Sequence, residues 1–348
     1  MKRPWMAPLV PLYRAGLSWR EVRLRRGWEP VGRLAWPVIS VGNLSTGGSG
    51  KTPLTIALAK LLVARGVHVD VLSRGFGRAS REAARVGPKG SAEQFGDEPL
   101  LIAREARVPV YVAPQRYDAG RLAEREVVSA GGADGELAGP QGTSRRALAD
   151  AHILDDGFQH RQLHRDVDIL LLNREDWQDA LLPAGNLREA LRAAQRASVI
   201  AIPAEDPDLE GELRRWGWAG PVWRLRRRME VPKVDGPAFA FCGIARPDQF
   251  FAGLEVRGLH IAQRKAFPDH YDYTEHVVEW VLEQAKATGA RACITTEKDA
   301  VRLGALASMF PADLPLKTAK LEIEIENAGA AVDWLIGRLG AKESAHSL

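Results

Sequence analysis

The stretch that most constrains the fold is STGGSGKT, residues 45–52, which is rich in glycine. It follows an apolar strand pattern, WPVISVGN, and it opens a helical pattern, PLTIALAKLLVARG. It departs from the phosphate-binding pattern G-x-x-x-x-G-K-[ST] where Ser45 replaces the first glycine. Glycines allow successive backbone N–H groups to turn toward one anion at the N-terminus of a helix. The sequence therefore predicts a nucleotide-binding P-loop between a strand and a helix.

The residues of this loop have distinct predicted tasks. Lys51 is expected to reach the terminal phosphates and to act in catalysis, because a fixed positive charge stabilises a phosphoryl group in transfer. The Thr52 hydroxyl is expected to bind Mg²⁺. The predicted nucleotide-binding set comprises Ser45, Thr46, Gly47, Gly48, Ser49, Gly50, Lys51 and Thr52.

The order of apolar segments predicts the fold class. Continuous strand patterns such as VHVDVLS, HILDD, DILLLN and SVIAIP alternate with helical ones through residues 35–230. Such runs are typical of a parallel sheet covered on both faces, so we expect an α/β fold of the P-loop NTPase type. The pattern breaks from Arg224, and new strand patterns predict a smaller C-terminal α/β domain over residues 231–348. Residues 129–146 are expected to form a surface insertion.

The composition of the chain argues against several kinds of binding partner and structural site. The chain of 348 residues has two cysteines, Cys242 and Cys293, and no C-x-x-C pair, so neither a zinc site nor a disulfide framework is expected. No apolar run is long enough to predict a membrane-spanning helix. The formal net charge is +4, yet no nucleic-acid-binding motif is present, so we expect no nucleic-acid partner.

The N-terminal residues 1–34 are predicted to form an amphipathic helix. A basic helix that carries tryptophan can lie in the headgroup layer of a membrane, whereas the alternative is packing on the body of the protein. Arginines and tryptophans flank the apolar face predicted for this helix, which comprises Leu9, Leu12, Tyr13, Leu17 and Leu24.

Two adjacent carboxylates end a predicted strand in AHILDDGFQH. Ligands of an open α/β sheet bind beside the carboxyl ends of the strands, where an acidic residue can hold Mg²⁺. Asp155 and Asp156 are therefore predicted metal ligands, although Asp156-Gly157 is also compatible with a simple turn.

Other polar stretches are weaker signals when each is taken alone. In FGDEP, Asp97 and Glu98 suit either catalysis or the start of a helix, where Asp is a favourable cap. His270, in FPDHYDYT, could serve as a base. Arg188 in LLPAGNLREAL and Lys298 in TTEKDAVRL could contact phosphates, with surface ion pairing as the alternative.

Taken in order, these stretches resemble one family closely. The matching motifs are SVGNLSTGGSGKTP, LSRGFGR, GDEP, LDDGFQH, LLPAGNLRE, GIARPDQFF, FPDHYDYT and TTEKDAVRL. Together they resemble the tetraacyldisaccharide 4'-kinases, which are the lipid A 4'-kinases. The resemblance implies that ATP and Mg²⁺ are used to phosphorylate the 4'-hydroxyl of an acylated disaccharide 1-phosphate, giving lipid IVA. It also implies a peripheral protein on the cytoplasmic face of the bacterial inner membrane.

The resemblance assigns roles to the weaker signals. Asp97 and His270 match a catalytic pair of the family, in which Asp97, assisted by His270, would take the proton of the 4'-hydroxyl. Because the two residues fall in different predicted domains, we expect the pair to form when the domains close. The expected phosphate or substrate contacts are Arg74, Glu98, Arg116, Gln159, His160, Arg188 and Lys298.

Departures from the family pattern leave alternatives open. The family usually has P-A-G-P-L-R-E-P, whereas this chain has Asn186 and Ala190 in place of the two later prolines. A P-loop kinase for a different lipid-linked sugar, or a partition-type P-loop ATPase, therefore remain alternatives. A GTPase is disfavoured because TEKDAV lacks the spacing of N-K-x-D. We expect a monomer.

Overall fold

The computed structural model describes residues 3–87, 89–130 and 150–340. Its strands are β1 (Val38–Asn43), β2 (His68–Ser73), β3 (Ala84–Arg85), β4 (Val110–Val112), β5 (Asp150–Asp155), β6 (Val167–Leu171), β7 (Val199–Pro203), β8 (Val222–Glu230), β9 (Ala238–Cys242), β10 (Ile261–Ala266), β11 (Ala292–Thr296) and β12 (Leu316–Ile325). They form one sheet in the order β10-β9-β11-β12-β8-β7-β6-β1-β5-β2-β4-β3.

Helices fill most of the connections between these strands. They are α1 (Val10–Arg25), α2 (Lys51–Ala64), α3 (Ala92–Phe95), α4 (Asp97–Ala106), α5 (Arg116–Ala130), α6 (Arg174–Trp177), α7 (Pro207–Arg215), α8 (Pro247–Val256), α9 (Glu275–Ala287), α10 (Glu297–Leu303) and α11 (Ala328–Gly340). Short 3₁₀ turns span Pro4–Leu9, Leu191–Arg196 and Gly304–Met309.

The central strands are parallel and buried on both faces. β1 pairs in parallel with β5 on one side and with β6 on the other, and all its residues are buried. Helices α2, α4 and α11 cover one face, where Leu54, Leu58 and Leu62 of α2 are fully buried. Helices α5 and α7 pack on the other face. The predicted α/β class with helices on both faces is confirmed.

Strand β8 corrects one expectation drawn from the sequence. The arginine-rich segment from Arg224 was expected to break the pattern, yet the strand continues to Glu230. Trp223 and Leu225 are buried whereas Arg224 and Arg226 are exposed, which is the period of two that a strand requires. The arginine run obscured this alternation.

The same strand joins the two parts of the sheet. β8 is parallel to β7 and antiparallel to β12, and β12 is parallel to β11. The sheet thus continues across residue 230, where the boundary between the domains 35–230 and 231–348 was predicted. That division remains a prediction. The predicted insertion at 129–146 lies outside the described residues, apart from the last two residues of α5.

Helix α1 presents two different faces. Val10, Tyr13 and Leu17 pack against the body of the protein, whereas Leu12 and Trp19 are 75% and 58% exposed. Trp5, in the 3₁₀ turn that precedes the helix, is 76% exposed. The residues expected to share one apolar face are therefore divided between the core and the solvent. Over the described ranges, no helix is both long enough and apolar enough to cross a membrane.

Candidate active site

The glycine-rich stretch forms a loop that connects β1 to the N-terminus of α2. Gly47 and Gly50 have φ values of 102° and 93°, a region that side chains with a Cβ atom rarely adopt. Helix α2 begins at Lys51, so its first N–H groups face the loop. The Lys51 Nζ atom lies 3.1 Å from Asn43 Oδ1 and 3.5 Å from an Asp156 oxygen. The loop has the geometry of an anion-binding site at a helix N-terminus.

Ser45, which replaces the first glycine of the pattern, is accommodated without backbone strain. It is buried, it forms a bridge with Leu187, and it is not among the residues with positive φ. Its hydroxyl accepts a hydrogen bond from Asn43 Nδ2 at 3.2 Å. A glycine is therefore not needed at this position.

The two carboxylates after β5 have different environments. Asp155 is buried and accepts a hydrogen bond from the Thr55 hydroxyl at 3.1 Å. Burial, together with the charges of Glu98 and Asp156, raises the pKa of Asp155 to about 7. Burial would also raise the pKa of Asp156, but the charges of Lys51 and Arg188 lower it. A metal ion would compensate the charge of this buried carboxylate.

Arg188 lies between the P-loop and this pair of carboxylates. Its Nη1 atom donates to both oxygens of Asp156, at 3.2 and 3.0 Å, and to Gln159 Oε1 at 3.1 Å. Its Nε atom donates to the carbonyl of Ser45 at 3.2 Å. Arg188 thus holds the phosphate loop, Asp156 and Gln159 in one arrangement.

Asn186 stabilises the same region. Its backbone N and its Nδ2 atom donate to Asp179 Oδ2 at 3.2 and 2.8 Å, which fixes the turn. Its carbonyl accepts a hydrogen bond from the backbone N of Thr46 at 2.9 Å. The hydrogen bonds of Asn186 thus restrain this turn.

Asp97 and His270 meet although they are far apart in the chain. Asp97 Oδ2 lies 3.2 Å from His270 Nδ1. Burial would raise the pKa of Asp97, but the hydrogen bond to His270 and the charges of Arg302 and Lys298 hold it well below its ordinary range. The hydrogen bond to Asp97 raises the pKa of His270. His270 has a φ of 57°, an unfavourable conformation of the kind found at functional sites.

A basic corner lies beside these groups. Arg116 is buried, and burial lowers the pKa of its guanidinium to about 10. Burial and the neighbouring arginines, which include Arg116, Arg20 and Arg74, lower the pKa of His160 to about 3. Among the residues that the structure describes, Arg116 Nε and His160 Nε2 have no hydrogen-bond partner. Such a group of cations suits an anionic ligand.

Lys298 extends the site from the C-terminal part of the sheet. Its ammonium lies 2.5 Å from Glu98 Oε1 and is thus paired across helices α10 and α4. Burial would lower the pKa of Lys298, but the charges of Glu98 and Asp97 raise it. Lys298 and Glu98 therefore form a charged pair at the wall of the site.

One cavity of about 1090 Å³ joins most of these groups. Of the predicted site residues, those that line it are Thr46, Gly47, Gly48, Ser49, Gly50, Lys51, Thr52, Arg74, Glu98, Arg116, Asp155, Asp156, Gln159, His160, Arg188, His270 and Lys298. Ser45 and Asp97 lie behind this lining.

Sequence reasoning missed Arg20, Arg227 and Arg302. Arg20 and Arg227 line the cavity, and Arg227 donates to the carbonyl of Ser49 at 2.9 Å. Arg20 falls on the same helical stripe as Tyr13 and Leu17, so its spacing could have indicated that it faces the body. The contacts of Arg227 and Arg302 join distant segments, for which the sequence carries no local signal.

Comparisons with known proteins identify the family to which this chain belongs. The family model for Tetraacyldisaccharide-1-P 4'-kinase matches residues 2–339. A tetraacyldisaccharide 4'-kinase of Koribacter versatilis is 39% identical over 342 residues, which cover 95% of this chain and 98% of the relative. The corresponding protein of Aquifex aeolicus is 33% identical, with coverages of 92% and 96%.

A solved structure extends the agreement to three dimensions. The crystal structure of LpxK from Aquifex aeolicus in complex with ATP is similar with a TM-score of 0.71 and 31% identity. The match covers 96% of this chain and 98% of that one. The resemblance inferred from the motifs is confirmed, as is the prediction of a kinase that uses ATP. This chain belongs to the tetraacyldisaccharide-1-P 4'-kinase family.

Proposed function

We propose that this protein transfers the γ-phosphoryl group of ATP to the 4'-hydroxyl of tetraacyldisaccharide 1-phosphate, which yields lipid IVA. The relatives named as tetraacyldisaccharide 4'-kinases support this substrate. The observation that carries the proposal is that Lys51 of the P-loop and His270 of the catalytic pair line one cavity. A phosphate donor and a hydroxyl acceptor can therefore meet between them.

The P-loop supplies the nucleotide site of this proposal. The backbone amides of Gly47 to Thr52 surround the phosphates, and the Lys51 ammonium neutralises charge that develops on the transferred group. Arg188 and Lys298 are placed at the wall of the same cavity, where they can contact phosphate oxygens. Phosphoryl transfer depends mainly on such positioning and charge stabilisation.

The donor set near Asp155 fits a magnesium ion of the P-loop type. Within the described parts of the chain, no cluster of three or more His, Cys, Asp or Glu residues could hold a metal. A P-loop site does not need one, because a hydroxyl, a carboxylate, phosphate oxygens and water complete the shell. Thr52, Asp155 and Asp156 would hold the ion. When bound, Mg²⁺ would supply positive charge that neutralises the phosphate groups.

The Asp97–His270 pair handles the proton of the acceptor. The 4'-oxygen forms a bond to the γ-phosphorus, and the bond from that phosphorus to the bridging oxygen breaks, so that ADP leaves with the electron pair. The hydroxyl proton passes to the pair, in which the carboxylate orients the imidazole. Asp97 and His270 belong to different parts of the sheet, so movement between the parts would assemble or open the pair.

The basic corner gives the acceptor its phosphate contacts. Arg74, Arg116 and His160 line the cavity beside Gln159, and Arg116 Nε has no hydrogen-bond partner within the described part of the chain. The 1-phosphate of the acceptor, or phosphates of ATP, would satisfy these donors. Glu98 pairs with Lys298 and holds it in place.

The exposed face of helix α1 would bring the protein to its lipid substrate. Leu12 and Trp19 of α1 and Trp5 of the preceding turn are exposed apolar side chains, and the same segment carries exposed basic residues such as Arg23. This combination suits an anionic headgroup layer. We therefore place the protein at the cytoplasmic face of the inner membrane as a peripheral monomer.

A direct transfer assay tests the reaction. The purified protein is incubated with labelled ATP, Mg²⁺ and tetraacyldisaccharide 1-phosphate in detergent micelles, beside the Asp97→Ala variant and the control Asp235→Ala, which is exposed and away from the cavity. Transfer by the wild type and the control, with strong loss in Asp97→Ala, is the expected result. Binding of ATP without transfer to this acceptor would contradict the proposed substrate and favour another lipid-linked sugar. ATP hydrolysis independent of any sugar acceptor would instead indicate a P-loop ATPase.

A further inference from the structure

Arg302, on helix α10, lies directly behind the catalytic pair. Its side chain is 5% exposed. Its Nε and Nη2 atoms donate to Asp97 Oδ2 at 2.8 and 2.5 Å. Its Nη1 atom donates to the carbonyl of Gly243 at 2.5 Å and to Asp299 Oδ1 at 3.1 Å. All three nitrogens of the guanidinium are engaged, so its position is fixed.

Asp299 anchors Arg302 from the side away from Asp97. This carboxylate is fully buried and accepts hydrogen bonds from the backbone N of Gly243 and the Tyr273 hydroxyl, both at 3.0 Å. It also accepts a hydrogen bond from the Thr296 hydroxyl at 2.6 Å. Burying a charged pair costs desolvation free energy, which only complete hydrogen bonding offsets. The hydrogen-bonded Asp299 therefore keeps the Arg302 guanidinium in place, and Arg302 in turn holds the Asp97 carboxylate.

Arg302 and His270 converge on one oxygen of Asp97. Asp97 Oδ2 accepts from Arg302 and lies 3.2 Å from His270 Nδ1, whereas Oδ1 accepts from the backbone N of Glu98 at 2.9 Å. Both oxygens of the Asp97 carboxylate thus already have hydrogen-bond donors. With Nδ1 directed at Asp97, His270 Nε2 is the nitrogen left to meet the acceptor hydroxyl.

We propose that Arg302 is a positioning residue of the phosphoryl-transfer site, which keeps the Asp97 carboxylate ionised and aligned so that His270 Nε2, and not Asp97, accepts the proton. This inference rests on the proposed function of the Asp97–His270 pair. The attacking oxygen forms the new bond to phosphorus, ADP leaves with the electrons of the broken bond, and the proton ends on Nε2. Asp97 then stabilises the imidazolium.

The charges around the pair agree with this division of roles. A carboxylate whose pKa is held far below its ordinary value is a weak proton acceptor. The hydrogen bond and charge of Asp97 raise the pKa of His270, and the charge of Arg302 opposes that rise. The charged groups that face the pair are Arg302 and Lys298 of α10, Glu98 of α4, and Asp269 of the loop that carries His270.

The pH dependence of kcat/KM separates positioning from simple structural support. We compare Arg302→Gln, Arg302→Lys and the control Arg338→Gln, which alters an exposed arginine of α11. In Arg302→Gln, kcat is expected to fall roughly a hundredfold. In the same variant, the acid limb of the kcat/KM profile is expected to move to higher pH by about one unit, because removing a neighbouring cation raises the pKa of His270.

The lysine variant supplies the matched comparison. Arg302→Lys keeps the buried charge, so its acid limb is expected to stay at the wild-type pH. Its kcat is expected to fall about tenfold or more, because an ammonium cannot reproduce the planar fork. Wild-type kcat in Arg302→Lys, or equal losses in both variants with an unmoved acid limb, would overturn the proposal. The lysine comparison still applies if Arg302→Gln does not fold.

An NMR titration tests the same idea without any substrate. The chain has eight histidines, and the His270 signal is identified by its loss in His270→Gln. In folded Arg302→Gln, the midpoint of this signal is expected to rise by about one pH unit. An unchanged midpoint would refute the role of Arg302. A shifted midpoint in a protein that fails to phosphorylate the disaccharide would support Arg302 and reject only the proposed acceptor.

Discussion

Lys51 is the single side chain whose removal tests the phosphate site most directly. Its ammonium lies 3.1 Å from Asn43 Oδ1 and lines the cavity at the N-terminus of α2. Lys51→Met should lower kcat roughly a hundredfold to a thousandfold, because charge developing on the phosphoryl group loses its neutralising partner. Steady-state transfer assays would measure this. The control is Lys60→Met, an exposed position on the same helix, and equal losses in both variants would contradict the assigned role.

Asp97 controls the protonation of His270. An imidazole must be neutral to accept a proton, so activity should rise with pH through the pKa of His270. Because Asp97 raises that pKa, Asp97→Asn should lower it and move the acid limb of kcat/KM to lower pH by about one unit. The maximal rate should fall at the same time. The pH profile of Asp235→Asn serves as the reference, and an unmoved acid limb in Asp97→Asn would exclude His270 as the titrating group.

At the level of single residues, local motifs predicted more than long-range contacts did. Lys51 and Thr52 are recognisable because a P-loop places its residues consecutively. Asp97 and His270 could be paired only through the family resemblance, since no spacing rule joins residues so far apart in the chain. Arg302 carries no local signal, because its contacts with Asp97 and Gly243 form only after the sheet has brought α4 and α10 together.

In the P-loop, the backbone conformation and the neighbours of Gly50 leave little room for a larger residue. Gly50 has a φ of 93°, and a Cβ atom there would lie 3.0 Å from Ile323 Cδ1 of β12. Gly50→Ala should therefore displace the loop and weaken ATP binding by at least about tenfold, since both strain and contact oppose the native backbone. Calorimetric titration with ATP provides the measurement.

A helical glycine supplies the control for this substitution. At Gly337 of α11, an added Cβ would meet nothing within 4 Å, so Gly337→Ala should leave ATP affinity unchanged. Unchanged affinity in Gly50→Ala as well would show that the loop tolerates the side chain. The backbone conformation at Gly50 would then not be required for binding.

Elements with a clear period were predictable, and irregular ones were not. Strands such as β1 and β5 read as continuous apolar runs because helices cover both of their faces. In β8 every second residue is exposed, but the three consecutive arginines Arg226 to Arg228 occupy both kinds of position, so the sequence does not display the alternation. β3, with two residues, is too short to give any periodic signal.

At the scale of the whole molecule, helix α1 would connect the cavity to the proposed lipid substrate. The cavity takes residues from both parts of the sheet, and Arg20 of α1 lines it beside Gln159. Tyr13 of the same helix donates from its hydroxyl to the carbonyl of Arg188 at 2.9 Å. Helix α1 thus contacts the loop that carries Arg188 on one face and exposes Trp19 on the other. A docked helix would hold the cavity next to the membrane that supplies the lipid.

Docking through α1 predicts that substitutions of the exposed apolar residues of this helix and the preceding turn weaken membrane binding without abolishing phosphoryl transfer in micelles. The variant with Trp5→Ser, Leu12→Ser and Trp19→Ser should lose at least about tenfold in binding to vesicles with anionic lipid, because large apolar side chains no longer leave water. Flotation measures this binding, and added salt should weaken it further by screening the arginines. Transfer to substrate in detergent micelles should persist, since these side chains are outside the cavity lining. The control, Val63→Ser with Val128→Ser, changes residues that are 47% and 77% exposed on α2 and α5. Equal vesicle binding by both variants would exclude the exposed face of α1 as the membrane anchor.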